Sequence, residues 1–134
     1  MSQSGKIPPL SMWGLVALGG ALGASLRHAF ELLFPWEGEG WPNGIFLANM
    51  LGCLMMGMFL GRLSTLERIP PSLPPLIGVG FLGGLTTFST FAAELDQLLR
   101  GGFPVMALAY TAVSVAIGVL AVRLGWGFMR RGQA

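Results

Sequence analysis

Charge is scarce in this sequence and missing altogether from four long stretches. Only 8 Lys and Arg and 6 Asp and Glu occur in 134 residues, 10% in all. A soluble domain carries roughly 25%, so that class is excluded. The uncharged runs are 7–26, 40–61, 69–93 and 101–122, each of about the 20 residues that a helix needs to cross a hydrocarbon core. Cysteine is nearly absent as well. Cys53 alone forms no disulfide framework within the chain. With one His, one Cys and no clustered carboxylates, no nucleophile–base pair or metal-ligand set is visible, and the chain is not read as an enzyme. Basic residues give a pI near 9.3 but scatter at the ends of the apolar runs, as topology signals do, which excludes nucleic acid as a partner.

What is present is apolar and glycine-rich, and it predicts an all-α integral membrane protein with four transmembrane helices, at about 10–33, 42–63, 75–99 and 103–128. Residues 1–9 read as a polar, Pro-containing lead, expected to be poorly ordered. Lys6 before the first apolar run suggests a signal peptide, but Ala21-Leu22-Gly23-Ala24 continues that run without a polar break, so it is read as a retained helix. Gly19, Gly20, Gly23 and Ala24 on the first helix, and Gly57 and Gly61 on the second, have the small-residue spacing that lets helices approach closely. Gly78-Val79-Gly80-Phe81-Leu82-Gly83 matches the dinucleotide fingerprint GxGxxG, yet it follows a proline cluster and has no βαβ unit around it, so the match is chance.

The chain is organised around Gly83-Gly84-Leu85-Thr86-Thr87-Phe88-Ser89-Thr90-Phe91. Two adjacent glycines and four hydroxyls in the middle of a span do not suit an unbroken helix. The stretch predicts a third helix that breaks at 83–87 and restarts, which membranes tolerate where the freed backbone lines a cavity or binds an ion. Polar groups inside the spans are neutral: Asn49, Thr86, Thr87, Ser89, Thr90, Thr111 and Ser114, with the carboxylates at helix ends where water reaches them. Asn49 must face protein or water, as an interhelical hydrogen bond or as part of a pathway. Tyr110, Ser114 and Gly118 recur every four residues as one semi-polar stripe, and Phe88 and Phe91 share a helix face. Hydroxyl and amide hydrogens can replace the hydration of an anion, and aromatic ring edges carry positive quadrupole density.

Over nearly its whole length the sequence resembles the CrcB/Fluc fluoride channels. The resemblance rests on the segment from Gly80 to Phe91 followed by Glu94, supported by Gly19 to Arg27, by Asn49-Met50-Leu51-Gly52, and by Tyr110 with Ser114 and Gly118. It implies an antiparallel, dual-topology homodimer in the cytoplasmic (inner) membrane that passively exports fluoride through two pores. By this resemblance Phe88, Phe91 and Asn49 line the pore, with Thr87, Tyr110 and Ser114 beside them and Arg27 in a vestibule. Carbonyls of Gly83 and Thr86 from both subunits would hold one structural Na⁺. There are departures: Ile45 stands where many members have Thr, Cys53 where Ser is frequent, and Gly118 where some have a hydroxyl.

Two other readings remain open on the residues: a small dimeric transporter that couples fluoride or another solute to H⁺, and a non-conducting assembly protein in which the glycine faces are the whole function. Helix parity sets Lys6, Arg62, Arg68, Arg130 and Arg131 on one membrane side, with Arg123 near it, and Arg27 and Arg100 on the other. That bias favours termini inside, whereas an antiparallel homodimer needs both orientations.

Overall fold

The computed structural model describes residues 10–131, and the lead over residues 1–9, Lys6 included, lies outside them. The described chain is all-α with four helical spans of membrane length: Leu10–Leu33, Asn43–Leu63, Pro74–Arg100 and Pro104–Arg130. The first is α1 (Leu10–Leu33) and the second α2 (Asn43–Leu63). The third is bent and composite: a π-helical segment (Pro74–Leu82), one turn of α3 (Gly83–Leu85), an interruption, then α4 (Ser89–Arg100). The fourth is α5 (Pro104–Arg131).

The interruption begins at the far end of the expected stretch 83–87, past the glycine pair. Gly83 keeps helical dihedrals (φ −66°, ψ −32°), and the chain leaves the helix at Thr86, whose backbone is extended (φ −87°, ψ 149°). No residue of the break has positive φ; the positive-φ glycines, Gly38, Gly40 and Gly102, all sit in connecting loops. The break therefore uses a β-branched residue that adopts the extended region readily. Thr86 holds the helix end by donating both its amide (3.0 Å) and its hydroxyl (2.9 Å) to the Leu82 carbonyl.

Glycines serve close approach instead. A Cβ at Gly84 would run into the Gly20 carbonyl of α1, and one at Gly23 into the Phe81 carbonyl, so α1 lies backbone-to-backbone along the first half of the third span. On the other side of the molecule α2 and α5 pack the same way: a Cβ at Gly57 would strike the Val122 carbonyl and one at Gly125 the Leu54 carbonyl. Lipid offers no hydrophobic drive between helices, so such contacts hold the spans together. The amphipathic α4 seats its apolar face on α5, where Leu98, Ala107 and Tyr110 form a buried cluster with Trp41, Phe46, Phe91 and Leu95 against it.

This packing predicts a sharp contrast between two equivalent-looking substitutions. Gly57→Ala should lose about 1–3 kcal/mol, because α2 and α5 must move apart. A Cβ at Gly127 meets nothing within 4 Å, so Gly127→Ala should unfold at or above the wild-type temperature. Thermal melts of the two variants in one detergent check this.

Candidate functional site

Breaking a helix within a membrane leaves backbone groups without partners, and each must be satisfied by protein. The Thr87 peptide unit is met by one side chain. Asn49 Nδ2 donates to the Thr87 carbonyl (3.1 Å), and the Thr87 amide donates to Asn49 Oδ1 (2.9 Å). The amide side chain thus pairs with the broken backbone as a neighbouring strand would. The Gly84 carbonyl, whose helical partner would be the Phe88 amide, accepts from Arg27 Nη1 (3.2 Å). Arg27 also lies 3.8 Å from Glu31, one turn further along α1. At the restart, Thr87 Oγ1 accepts from the Thr90 amide (3.2 Å) and so caps α4, a task that the Phe88 side chain cannot perform.

The same bonds identify what is left over. Thr87 N–H is the helical partner of the Gly83 carbonyl and Thr90 N–H that of the Thr86 carbonyl. Both amides are engaged by side chains, so the Gly83 and Thr86 carbonyl oxygens lose their helical donors. Gly83 is exposed, and a Cβ there would have only the Gly78 carbonyl within reach, at 4.0 Å. Gly83 thus lies at the surface of the chain, and Thr86 is half-buried.

Beside the break runs a groove of about 410 Å³ between α2, the third span and α5. It gathers Asn49, Thr87, Phe88, Phe91 and Ser114. Phe88 is 80% exposed, and its ring centroid is 6.0 Å from that of Phe91. Ser114 contributes a buried hydroxyl that has no hydrogen-bond partner.

Two of the residues named from the sequence are elsewhere. Arg27 is on the α1 side, at Gly84. Tyr110 is fully buried behind Phe91 (centroids 4.9 Å apart), with Trp41 packed edge-on against it, and does not line the groove. Its hydroxyl donates to Glu94 Oε2 at 2.7 Å. Glu94 corrects the sequence reading directly. That reading put the carboxylates at water-accessible helix ends, whereas Glu94 is 8% exposed in the middle of α4. It lines a separate recess of about 260 Å³ with Glu31, Ile45 and Thr90. The sequence does hold the signal: Glu94 falls three residues after Phe91 and four before Leu98, on the apolar face of α4.

The Asn49 clamp predicts a stability effect separate from any transport. Asn49→Ala strands the Thr87 amide and carbonyl, at about 1–3 kcal/mol for each unsatisfied group. Asn43→Ala, at an exposed first position of α2, should leave thermal unfolding of the purified protein nearly unchanged. Equal melting temperatures would show that the clamp carries no stability.

Comparison with known proteins shows the family. A family model described as CrcB-like protein, Camphor Resistance (CrcB), matches residues 14–126. The Fluoride-specific ion channel FluC of Chloroflexus aurantiacus is 40% identical over 116 residues, covering 86% of this chain and 92% of the relative. FluC 1 of Mycobacterium tuberculosis, also called a Fluoride-specific ion channel, is 42% identical over 118 residues, 87% and 88% of the two chains. FluC 2 of Streptomyces avermitilis is 39% identical over 101 residues, 75% of this chain, which spans 64% of the length of that longer relative.

Proposed function

Because the chain belongs to the CrcB/FluC fluoride channel family, whose members are channels and not enzymes, we propose that it is a passive fluoride channel. Its pore groove is completed by a second, antiparallel copy in the cytoplasmic membrane. The observation that carries this reading is the groove beside the break, in which a one-sided, mostly apolar wall holds a few neutral donors. Fluoride binds water strongly, so each water lost on the way through needs a replacement donor. Asn49 has two amide hydrogens and gives one to Thr87, which leaves one for an ion. Ser114 has a hydroxyl with no partner, and the edges of Phe88 and Phe91 carry positive quadrupole density. Phe88 at 80% exposure is a large aromatic ring that a single chain leaves uncovered. A second copy across a two-fold axis covers it and closes two equivalent grooves. A neutral path suits an anion driven outward by a membrane potential that is negative inside, since no energy-coupling site is required.

The carbonyls of Gly83 and Thr86 suit a structural Na⁺. They are neutral oxygens without their helical donors, and two copies would present four of them to a small hard cation. The ion would hold the two copies together across the break and would not be transported.

One observation favours the second reading, coupling to protons: a buried carboxylate, Glu94, on the hydroxyl of Tyr110. The two readings separate in liposomes. Efflux of fluoride driven by K⁺ and valinomycin should proceed at the same rate with and without a pH gradient. Strict dependence on the gradient would establish the transporter instead.

Two further outcomes are expected. Phe88→Ile keeps bulk and removes the ring. Because Phe88 is largely uncovered in the single chain, the variant should fold normally, and in samples that run as dimer on size exclusion fluoride efflux should fall to the leak of empty liposomes. Undiminished flux would remove Phe88 from the pathway. Replacing Na⁺ thoroughly with a large organic cation should shift the protein toward monomer on size exclusion, and a dimer that survives the exchange unchanged would count against the carbonyl site.

A further inference from the structure

We propose that Arg123 is an anion-gathering residue at one mouth of the pore groove, an inference that rests on the channel reading. Arg123 is exposed on α5, eight residues before the end of that helix at Arg131, or about 12 Å at 1.5 Å per residue. With 28 residues, α5 is longer than the hydrocarbon core is thick. An overhang at the C-terminal end would set Arg123 near the apolar boundary, from which a guanidinium reaches the interface.

Three observations converge on this residue. First, its charge is uncompensated within the described chain. The ion pairs among the described residues join Arg27 and His28 to Glu31, and Arg100 to Asp96. None involves Arg123, and an intramembrane cation is costly without a counter-charge. Second, Arg123 lines a groove of about 420 Å³ that also includes Ser114, Gly118 and Val122. That groove shares Cys53, Ser114, Val115 and Val122 with the groove of Asn49, Phe88 and Phe91. The two grooves thus adjoin, and Arg123 lies nine residues along α5 from Ser114, about 13.5 Å. Third, the wall between these two residues is Val115, Gly118, Val119, Val122 and Cys53, with no carboxylate to cancel the field. Low-dielectric walls around a single sign of charge focus the potential and raise the local concentration of the opposite ion. The ligand class is a small monovalent anion, held transiently. In an antiparallel pair the two Arg123 residues would stand on opposite membrane faces.

The competing occupant is an anionic lipid headgroup. A second groove at Arg123, of about 430 Å³, is lined by Leu54, Met58, Leu124 and Phe128 and could take an acyl chain. Continuity with the Ser114 groove favours the mobile anion.

Full-length wild type, Arg123→Gln, Arg123→Lys and Arg123→Glu, each checked for dimer on size exclusion, are compared by initial fluoride efflux. Measurements use zwitterionic liposomes at sub-saturating fluoride, with low or high concentrations of an impermeant salt. Steering of this kind alters rates by about tenfold or more. Arg123→Gln should therefore fall by that order at low salt and approach wild type at high salt or saturating fluoride. Arg123→Lys should stay near wild type, and Arg123→Glu should fall further. Equal efflux for wild type and Arg123→Gln at low salt would overturn the inference while leaving the channel reading intact. A loss that appears only in liposomes containing phosphatidylglycerol would overturn it in favour of the lipid. If Arg123→Gln fails to assemble, wild-type efflux that ignores ionic strength would overturn it equally. A wild type that carries no fluoride would overturn the channel reading itself.

Discussion

Every backbone amide and carbonyl within a bilayer needs a partner from the protein, and the interrupted third span draws its partners from its neighbours. The partners come from three different segments. Asn49 on α2 takes both groups of Thr87, Arg27 on α1 takes the Gly84 carbonyl, and the Thr87 hydroxyl takes the Thr90 amide. Two neighbouring spans are thereby fixed against the break by hydrogen bonds whose absence would leave unpaired groups in an apolar medium. The carbonyls of Gly83 and Thr86 are among the groups left without their helical donors.

Such bonds reach only if the helices lie very close, and the glycines make that possible. Gly52 is three residues after Asn49, on the same face of α2, and a Cβ there would overlap the methyl group of Thr86. A larger residue at Gly52 would push α2 away from the break and lift Asn49 from Thr87. Gly57 and Gly125 play the corresponding part between α2 and α5, which carries Ser114 to the groove beside Asn49. Packing without side chains and hydrogen bonding without water are thus one design. Close backbones bring short polar side chains within range of freed peptide groups.

This explains what could be read in the sequence and what could not. Four spans were legible because uncharged runs of about 20 residues have one economical interpretation. The bend was legible because hydroxyls and glycines cluster at membrane depth. Its position was legible to within the stretch 83–87 but not to the residue, since glycine can signal either conformational freedom or close approach, and here Gly83 and Gly84 remain helical while Thr86 departs. The π winding of Pro74–Leu82 had no distinct signature in a stretch rich in Pro, Gly and aliphatics. Asn49, Thr87, Phe88, Phe91 and Ser114 converge as neighbours. Tyr110 and Arg27 were assigned by resemblance alone, and periodicity could not say that the ring of Phe91 would stand between Tyr110 and the groove. Glu94 was misjudged because its distance from the helix end was weighed without the face on which it falls.

The three departures from the family pattern sort by location. Ile45 is 2% exposed and lines the recess of Glu31, Thr90 and Glu94, so the hydroxyl that is missing there is lost beside Glu94 and not beside Phe88. Cys53 and Gly118 face each other, a Cβ at Gly118 lying 3.5 Å from the Cys53 sulfur, and both line the groove beyond Ser114. A thiol donates weakly and glycine offers no side-chain donor, so on the channel reading an anion leaving Ser114 in this direction would meet no strong donor until Arg123. A full positive charge acts over a longer range than a hydroxyl, since Coulomb attraction falls only with distance whereas a hydrogen bond needs contact near 3 Å. On the channel reading, one arginine at the mouth would thus offset two hydroxyls missing along the wall, without narrowing a groove lined by two phenylalanine rings.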